Sequence, residues 1–478
     1  MDTFLPYIRL IPPFLPIALV SLAVMLGSVA YMILAERKIA AWTQDRVGPN
    51  RTGLGFGIIP FLKDFHFWGL GQPMADGLKF FLKEDYKPKG VDTFLFTLAP
   101  IILMTVIMIA AAVIPWGGII QSTHTADISA AVASSQTSLQ AAESLVPWWA
   151  TMHGEPSFTN SGTTATVNYR WAFQVANLNI GVLFVLAALS LAVYGVVLGG
   201  WASNNKYSFL GGMRATANMI SYEIPLGACV LCIVLLVGSL DLGVIVEKQA
   251  HSWFGILPAW NIFTQPIAFI LFLVCIHAEA NRAPFDIAEA EQELVGGYHT
   301  EYSSMRFALF FLAEYMGMIA TSALCVALFF GGWHLPGLTG TVDPTNPAVT
   351  TSIFEAILRS GVFFAKTLGI IFIFMWVRWS LPRFRFDQIM LLAWRTMIPL
   401  SLLLLIGTTL VIYFWADAPR PLGQVPPLMA LMLAGANIAA FVLVMLVAPL
   451  IPETQPVNRR LNVPGSRFTK TPLPSWAK

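Results

Sequence analysis

The sequence predicts an all-α polytopic membrane bundle of about nine spanning helices, with one amphipathic helix at the membrane interface. Three observations predict it. First, 56% of the 478 residues are hydrophobic and 11% are charged, against about 25% charged in a soluble chain. The 28 basic and 26 acidic side chains cannot cover a soluble fold of this size, and the mean hydropathy is +0.68. Second, nine runs have roughly the 20 apolar residues that cross a bilayer: 13–35, 94–114, 176–198, 222–240, 262–278, 305–330, 357–377, 389–415 and 427–448. Third, these runs are long and apolar on all sides, which excludes buried strands. Nothing alternates with period two as a membrane barrel would. The same numbers exclude a soluble enzyme, a nucleic-acid-binding protein and a disordered scaffold.

The first run is read as a span and not as a cleaved signal. Only Arg9 precedes it, it exceeds 20 residues, and its basic flank, Glu36-Arg37-Lys38, is on the far side. Within 69–85, Met74, Leu78, Phe81 and Leu82 recur at i, i+4, i+7 and i+8, while Asp76, Lys79 and Lys83 take the opposite side. Such a segment is too short and too charged to span, so it should lie in the interface with its apolar stripe toward lipid. Residues 117–170 are rich in Ser, Thr and Ala, have no Lys or Arg before Arg170, and read as a long extracytoplasmic loop. Residues 331–352 read as a Gly/Pro/Thr turn segment. The chain divides into a membrane domain at 1–415 and an additional helix with a basic tail at 416–478.

Lys and Arg orient the bundle. Twenty of the 28 fall in the loops after the first, third, fifth and seventh runs and in the tail, against four on the other side. The positive-inside rule then places the N-terminus outside and the C-terminus in the cytoplasm.

No cofactor site is expected in this chain. The seven histidines are at least 22 residues apart, so no His-x-x-x-His ligand pair exists. The four cysteines lie in apolar runs, and Cys229 and Cys232 read as small packing residues. Gly53, Gly55 and Gly57 follow a basic loop and lack the strand that a dinucleotide site requires.

Carboxylates are the unusual feature. The segment 279–302 holds Glu279, Asp286, Glu289, Glu291, Glu293 and Glu301, opposed within it only by Arg282. Glu289 and Glu293 are expected to share a helical face with Asp286, which concentrates like charge at a cost. Acids also continue into the membrane. Glu314 lies about 14 Å into the sixth run at 1.5 Å per residue, and Glu223 opens the fourth run beside Pro225. Intramembrane carboxylates are costly and mark an ion or proton path by default. Lys366 and Arg359 are candidates to pair with them. Between the seventh and eighth runs, Arg378, Arg383, Arg385 and Asp387 are interleaved with Phe384 and Phe386, which reads as an anchor, an anion site or a docking surface.

The motifs ERKIAAWTQDRVGPNR, QPMADGLKFFLKE, ISYEIP, EANRAPFDIAEAEQELVGGYHTEY, FFLAEY and PRFRFDQIM stand in this order. They closely resemble the H-subunit family of bacterial NADH:quinone oxidoreductase, respiratory complex I, whose mitochondrial counterpart is NADH dehydrogenase subunit 1. The resemblance runs from about residue 14 to 415. It implies a subunit at the junction of the membrane and peripheral arms that forms the lower quinone chamber. It also implies quinone as substrate of the complex, no redox centre in this chain, and a location in the bacterial inner membrane. Partners would be peripheral-arm subunits at the quinone site, small membrane-arm subunits and lipid, with no nucleic acid.

Residue by residue, the likeness assigns Glu36, Arg37, Asp76 and Lys79 to the quinone entrance. It assigns Arg378, Arg383, Arg385 and Asp387 to a loop facing the chamber. Glu223, Glu279, Asp286, Glu289, Glu291, Glu293 and Glu314 match the acidic path. Three features depart from the family: the ninth run, the long outer loop, and an insert near 58–68. The remaining alternatives are a related subunit of a membrane-bound hydrogenase, a proton-coupled transporter, and a structural anchor for peripheral subunits.

Overall fold

The computed structural model describes residues 14–52, 66–127, 140, 143, 145–147, 150–152, 156–159, 164–253, 257–287, 291–339, 349–350, 353–415 and 425–447. Among them, eight helices are long and apolar enough to span a membrane. They are α1 (Phe14–Thr43), α3 (Thr93–Ala112), α4 (Gly181–Ala202), α5 (Lys206–Val237), α10 (Ser304–Phe329), α11 (Ile353–Ser380), α12 (Phe386–Phe414) and α13 (Pro427–Val447). The short helices are α2 (Gln72–Leu82), α6 (Leu242–Lys248), α7 (Asn261–Thr264), α8 (Pro266–Glu279) and α9 (Glu291–Leu294).

The helix ends follow from the sequence. Asp92 caps α3 by accepting from the amides of Phe94 and Leu95 at 3.0 and 3.2 Å. Asn205 caps α5 by accepting from the Tyr207 amide at 3.0 Å, and Gly238 ends it at φ 75°. Side-chain oxygens satisfy orphan amides at helix starts, and glycine tolerates the left-handed exit.

Two spans differ most from expectation. The fifth, expected over 262–278, is broken at Gln265 (φ −132°, ψ 56°) into α7 and the 14-residue α8. Pro266 is the reason, because proline steers the preceding residue away from helical geometry. The fourth begins at Lys206 rather than 222, so Lys206 and Arg214 are helical and not in a loop. Glu223 does not open that span. Pro225 lies inside a continuous α5, as membrane helices tolerate when neighbouring groups satisfy the freed carbonyl.

The outer segment is not only a loop. Strands β1 (Ile119–Asp127), β2 (Thr151–Met152), β3 (Ser157–Thr159), β4 (Thr164–Ala172) and β7 (Val349–Thr350) form a sheet of order β2-β4-β1-β7, with β3 also on β4. β1 and β4 pair antiparallel from Ile119↔Ala172 to Asp127↔Thr164. The expectation that nothing alternates with period two fails here. Ala165 and Val167 of β4 point into a small core while Thr164 and Thr166 do not, and threonine and valine favour such a half-buried surface. A second small sheet pairs β5 (Ser252–Trp253) with β6 (Leu257–Pro258). The basic tail lies outside the described residues.

The main core runs through α1, α3, α4, α5, α8, α10, α11 and α12. α10 is the central helix, with every residue from Tyr315 to Phe329 buried. This packing holds Glu314 and Tyr315 in the interior, facing the charged ends of α1, α8 and α11.

Candidate functional site

The amphipathic segment forms α2 as expected. Its stripe is free of the bundle, with Met74, Leu78, Phe81 and Leu82 exposed by 52–86%. Its other side is tied down. Arg37 Nη1 donates to Asp76 at 2.8 Å, Gln72 donates to the same carboxylate at 3.0 Å, and Thr52 bonds Gln72. Ser304 at the start of α10 donates to the carbonyls of Phe80 and Lys83. Lys79 is exposed.

Beside α2, a cavity of about 560 Å³ is walled by Ile33, Glu36, Arg37, Arg46, Phe311, Tyr315, Arg378 and Trp379. The loop after α1 folds back over it. Gly48, at φ +76°, lies against Ala41, and a Cβ on Gly69 would stand 2.4 Å from the Pro49 carbonyl oxygen. Only glycine fits that second approach.

Glu36 is the focus of the wall. It is 6% exposed and meets Arg378 Nη1 at 2.5 Å, Arg282 Nη1 at 3.4 Å and the Tyr315 hydroxyl. Arg282 comes from the turn after α8 and is 3% exposed. Its Nε stands 2.9 Å from Glu314 Oε1, and its guanidinium lies 4.0 Å from the Tyr315 ring. Burial alone would lower the Arg282 pKa. The charges of Glu314 and Glu36 overcome this and hold it well above the ordinary value. One guanidinium therefore bridges two buried carboxylates, as its planar fork of donors permits.

A second cavity, of about 40 Å³, lies on the far side of Glu314. Met219, Glu279, Asn281, Tyr298 and Thr321 line it with Glu314. It has room for about two or three waters. Glu279 is 9% exposed and lies close enough to Glu223 for their charges to interact. Ser190 on α4 donates its hydroxyl to Glu223. The groups thus follow one another from Arg378 through Glu36, Arg282, Glu314 and Glu279 to Glu223.

Several expected site residues lie elsewhere. Asp286 is not on a shared helical face, because its segment is non-helical and α9 has only four residues. Asp286 pairs with Arg383 at 2.8 Å and Glu293 with Arg214 at 2.7 Å. Cations from distant segments thus offset the acids that the local sequence leaves opposed by Arg282 alone. Glu289 and the Glu291 side chain lie outside the described residues. Arg385 and Asp387 are at the start of α12 and do not line the cavity. Lys366 and Arg359 have partners of their own. Lys366 donates to the carbonyls of Phe330, Gly332 and His334, where a cation offsets the end of α10. Arg359 pairs with Glu355 one turn away.

Sequence reasoning passed over Tyr315, Arg46 and Trp379, and gave Arg282 no role. For Arg282 a signal existed, since a lone cation among acids beside membrane spans needs a buried partner.

The family model for NADH dehydrogenase matches residues 17–409. The H-subunit of NADH-quinone oxidoreductase from Leptospira biflexa is 43% identical over 396 residues, covering 82% of this chain and 93% of that protein. An H-subunit of the same enzyme from Cytophaga hutchinsonii is 41% identical over 79% of this chain and 90% of its own length. One from Geobacter sulfurreducens is 41% identical over 82% of this chain and 93% of its own. With a family model over most of its length and relatives this similar across the same span, the chain belongs to the NADH dehydrogenase family.

Proposed function

We propose that this chain is the membrane subunit of a proton-translocating NADH:quinone oxidoreductase. In this reading it walls the quinone chamber and carries the acidic path that couples quinone reduction to pumping. The observation that carries the reading is the Arg282 bridge, with Glu36 on the outer cavity and Glu314 on the inner one.

A quinone becomes a quinol by taking up two electrons and two protons. The electrons come from a redox centre in a neighbouring subunit. This chain's part is electrostatic. Arg37, Arg46 and Arg378 make the outer cavity cationic around Glu36, so negative charge arriving there competes with Glu36 for Arg378 and Arg282. Any weakening of Arg282's hold on Glu36 strengthens its pairing with Glu314, because one guanidinium serves both. A change in the charge of Glu314 is then felt by Glu279, which shares its cavity, and through Glu279 by Glu223. Asp286 and Glu293, paired with Arg383 and Arg214, hold the loop between α8 and α10 in place. Quinone chemistry at one cavity is thus felt at the other without a redox centre in this chain.

The quinone enters from the bilayer along α2. Burying a long isoprenoid tail gains about 0.8 kcal/mol per methylene, so the ligand partitions into lipid, where Met74, Leu78, Phe81 and Leu82 are exposed. Leu78→Trp is expected to raise the apparent KM for long-tail quinones severalfold and to weaken inhibitor binding, with the complex fully assembled. Steady-state kinetics with long- and short-tail quinones check this. Unchanged kinetics would remove the entrance from α2.

The subunit lies in the bacterial inner membrane, with its partners in the peripheral arm and among the small membrane-arm subunits. The Lys/Arg asymmetry supports a cytoplasmic C-terminus. A reporter fused after Lys478 should be active only in its cytoplasmic form, and periplasmic activity would overturn this orientation.

A further inference from the structure

Helix α13 lies beyond residue 409, where the family match ends, and a buried polar network joins it to the break in the fifth span. Asn437 Nδ2 donates to Gln265 Oε1 at 2.7 Å and to the Leu433 carbonyl at 2.9 Å. Asn437 Oδ1 accepts from the Ala268 amide at 3.4 Å. Gln265 Nε2 donates to Thr408 Oγ1 at 3.0 Å, and Thr408 donates to the Leu404 carbonyl on α12 at 2.8 Å. Gln265, Thr408 and Asn437 are each at most 1% exposed.

The location of this network gives it a use. α8 has 14 residues, about 21 Å of rise, against a hydrocarbon core of about 30 Å. Its N-terminal end therefore lies at membrane depth, where helix-start amides have no water to bond. Asn437 meets one of those amides and, through Gln265, fixes the break itself. At the other end of the same short helix stands Glu279, on the wall of the inner cavity with Glu314. So short a helix moves as a rigid rod, and the anchoring of its start sets the placement of the carboxyl at its end.

We propose that α13 is a built-in buttress of this half-helix, and that Asn437 is a positioning residue that sets Glu279 against Glu314. The inference rests on the acidic-path reading above and adds a device supplied from outside the region that the family model matches. Asn437 touches no reacting group. Its effect is on coupling and not on quinone binding.

The test uses the assembled complex in proteoliposomes, with quinone reduction and proton release followed together across pH 6–8. Asn437→Leu keeps the approximate size but leaves the Ala268 amide and Gln265 Oε1 without their partner. It is expected to lower the protons released per quinone reduced to half or less and to displace the pH profile of that ratio. The KM for quinone should stay within twofold. A merely structural loss would lower abundance and rate together and leave the ratio untouched. Thr408→Val removes one bond of the network isosterically and should shift the ratio in the same direction by less. If Asn437→Leu does not assemble, Thr408→Val decides. A parental ratio and pH profile in an assembled variant overturns the buttress. Glu279→Gln separates the two readings: a parental ratio there sinks the acidic path itself, while a lowered ratio there with a parental Asn437→Leu sinks only the buttress.

Discussion

Replacing Arg282 with lysine is expected to cut quinone-linked turnover at least tenfold while leaving the abundance of the complex within about twofold. The guanidinium reaches Glu36 through Nη1 and Glu314 through Nε. An ammonium is a single point charge on a flexible stem and cannot meet both carboxylates. The two acids are not equally exposed to the loss. Glu36 keeps Arg378 at 2.5 Å and the Tyr315 hydroxyl, while Glu314 loses the guanidinium 2.9 Å away in a site where its side chain is 9% exposed. Breaking a buried pair from one side costs about 3–5 kcal/mol. Without the shared guanidinium, Glu314 no longer answers to charge in the outer cavity. Arg282→Met should go further and lower the abundance of the complex, because it strips the shared cation from both acids. Turnover and pumping at parental values in the lysine variant would show that the bridge is not needed.

The bundle was legible because its signals are local. A run of apolar residues needs no partner to be recognised, and the stripe of Met74, Leu78, Phe81 and Leu82 marks α2 within one segment. The site was legible as a set of residue types, not as a constellation. Glu279 and Glu314 stood out by being acids near apolar runs, and Glu36 entered only through the family motif, but the group that joins them did not stand out. Arg282 lies 246 residues from Glu36 along the chain, and no periodicity links such positions. Separations of 97 and 79 residues likewise hide Arg383 from Asp286 and Arg214 from Glu293, so the loop after α8 read as more repulsive than it is. The outer sheet escaped for another reason. Its strands pair across a long insertion, and their alternation is carried by alanine and valine among threonines, too weak a contrast beside the strongly apolar helices.

Glu314→Gln and Glu223→Gln are expected to lower the protons pumped per quinone reduced, Glu314→Gln to half or less. Glutamine keeps the size and part of the hydrogen bonding but cannot ionise. Glu314 faces Arg282 on one side and shares the inner cavity with Glu279 on the other. Carboxylates that line one small cavity repel each other, by roughly 3 kcal/mol at a separation of about 6 Å and an effective dielectric near 20, so the charge on one is felt at the next. Removing the charge at Glu314 cuts the sequence where it meets Arg282. Quinone reduction should persist at a reduced rate, because Glu36 and the cationic outer cavity remain. Glu223 stands at the far end, held by Ser190, and interacts with Glu279 through space. Its replacement should leave the quinone KM unchanged and lower the pumping ratio by less than Glu314→Gln does. Both quantities are read together in proteoliposomes, with quinol formation followed optically and proton release by an entrapped pH dye. If both variants reduce quinone and pump protons at the parental ratio and rate, these acids are structural and charge at the outer cavity reaches the pumping subunits by another route.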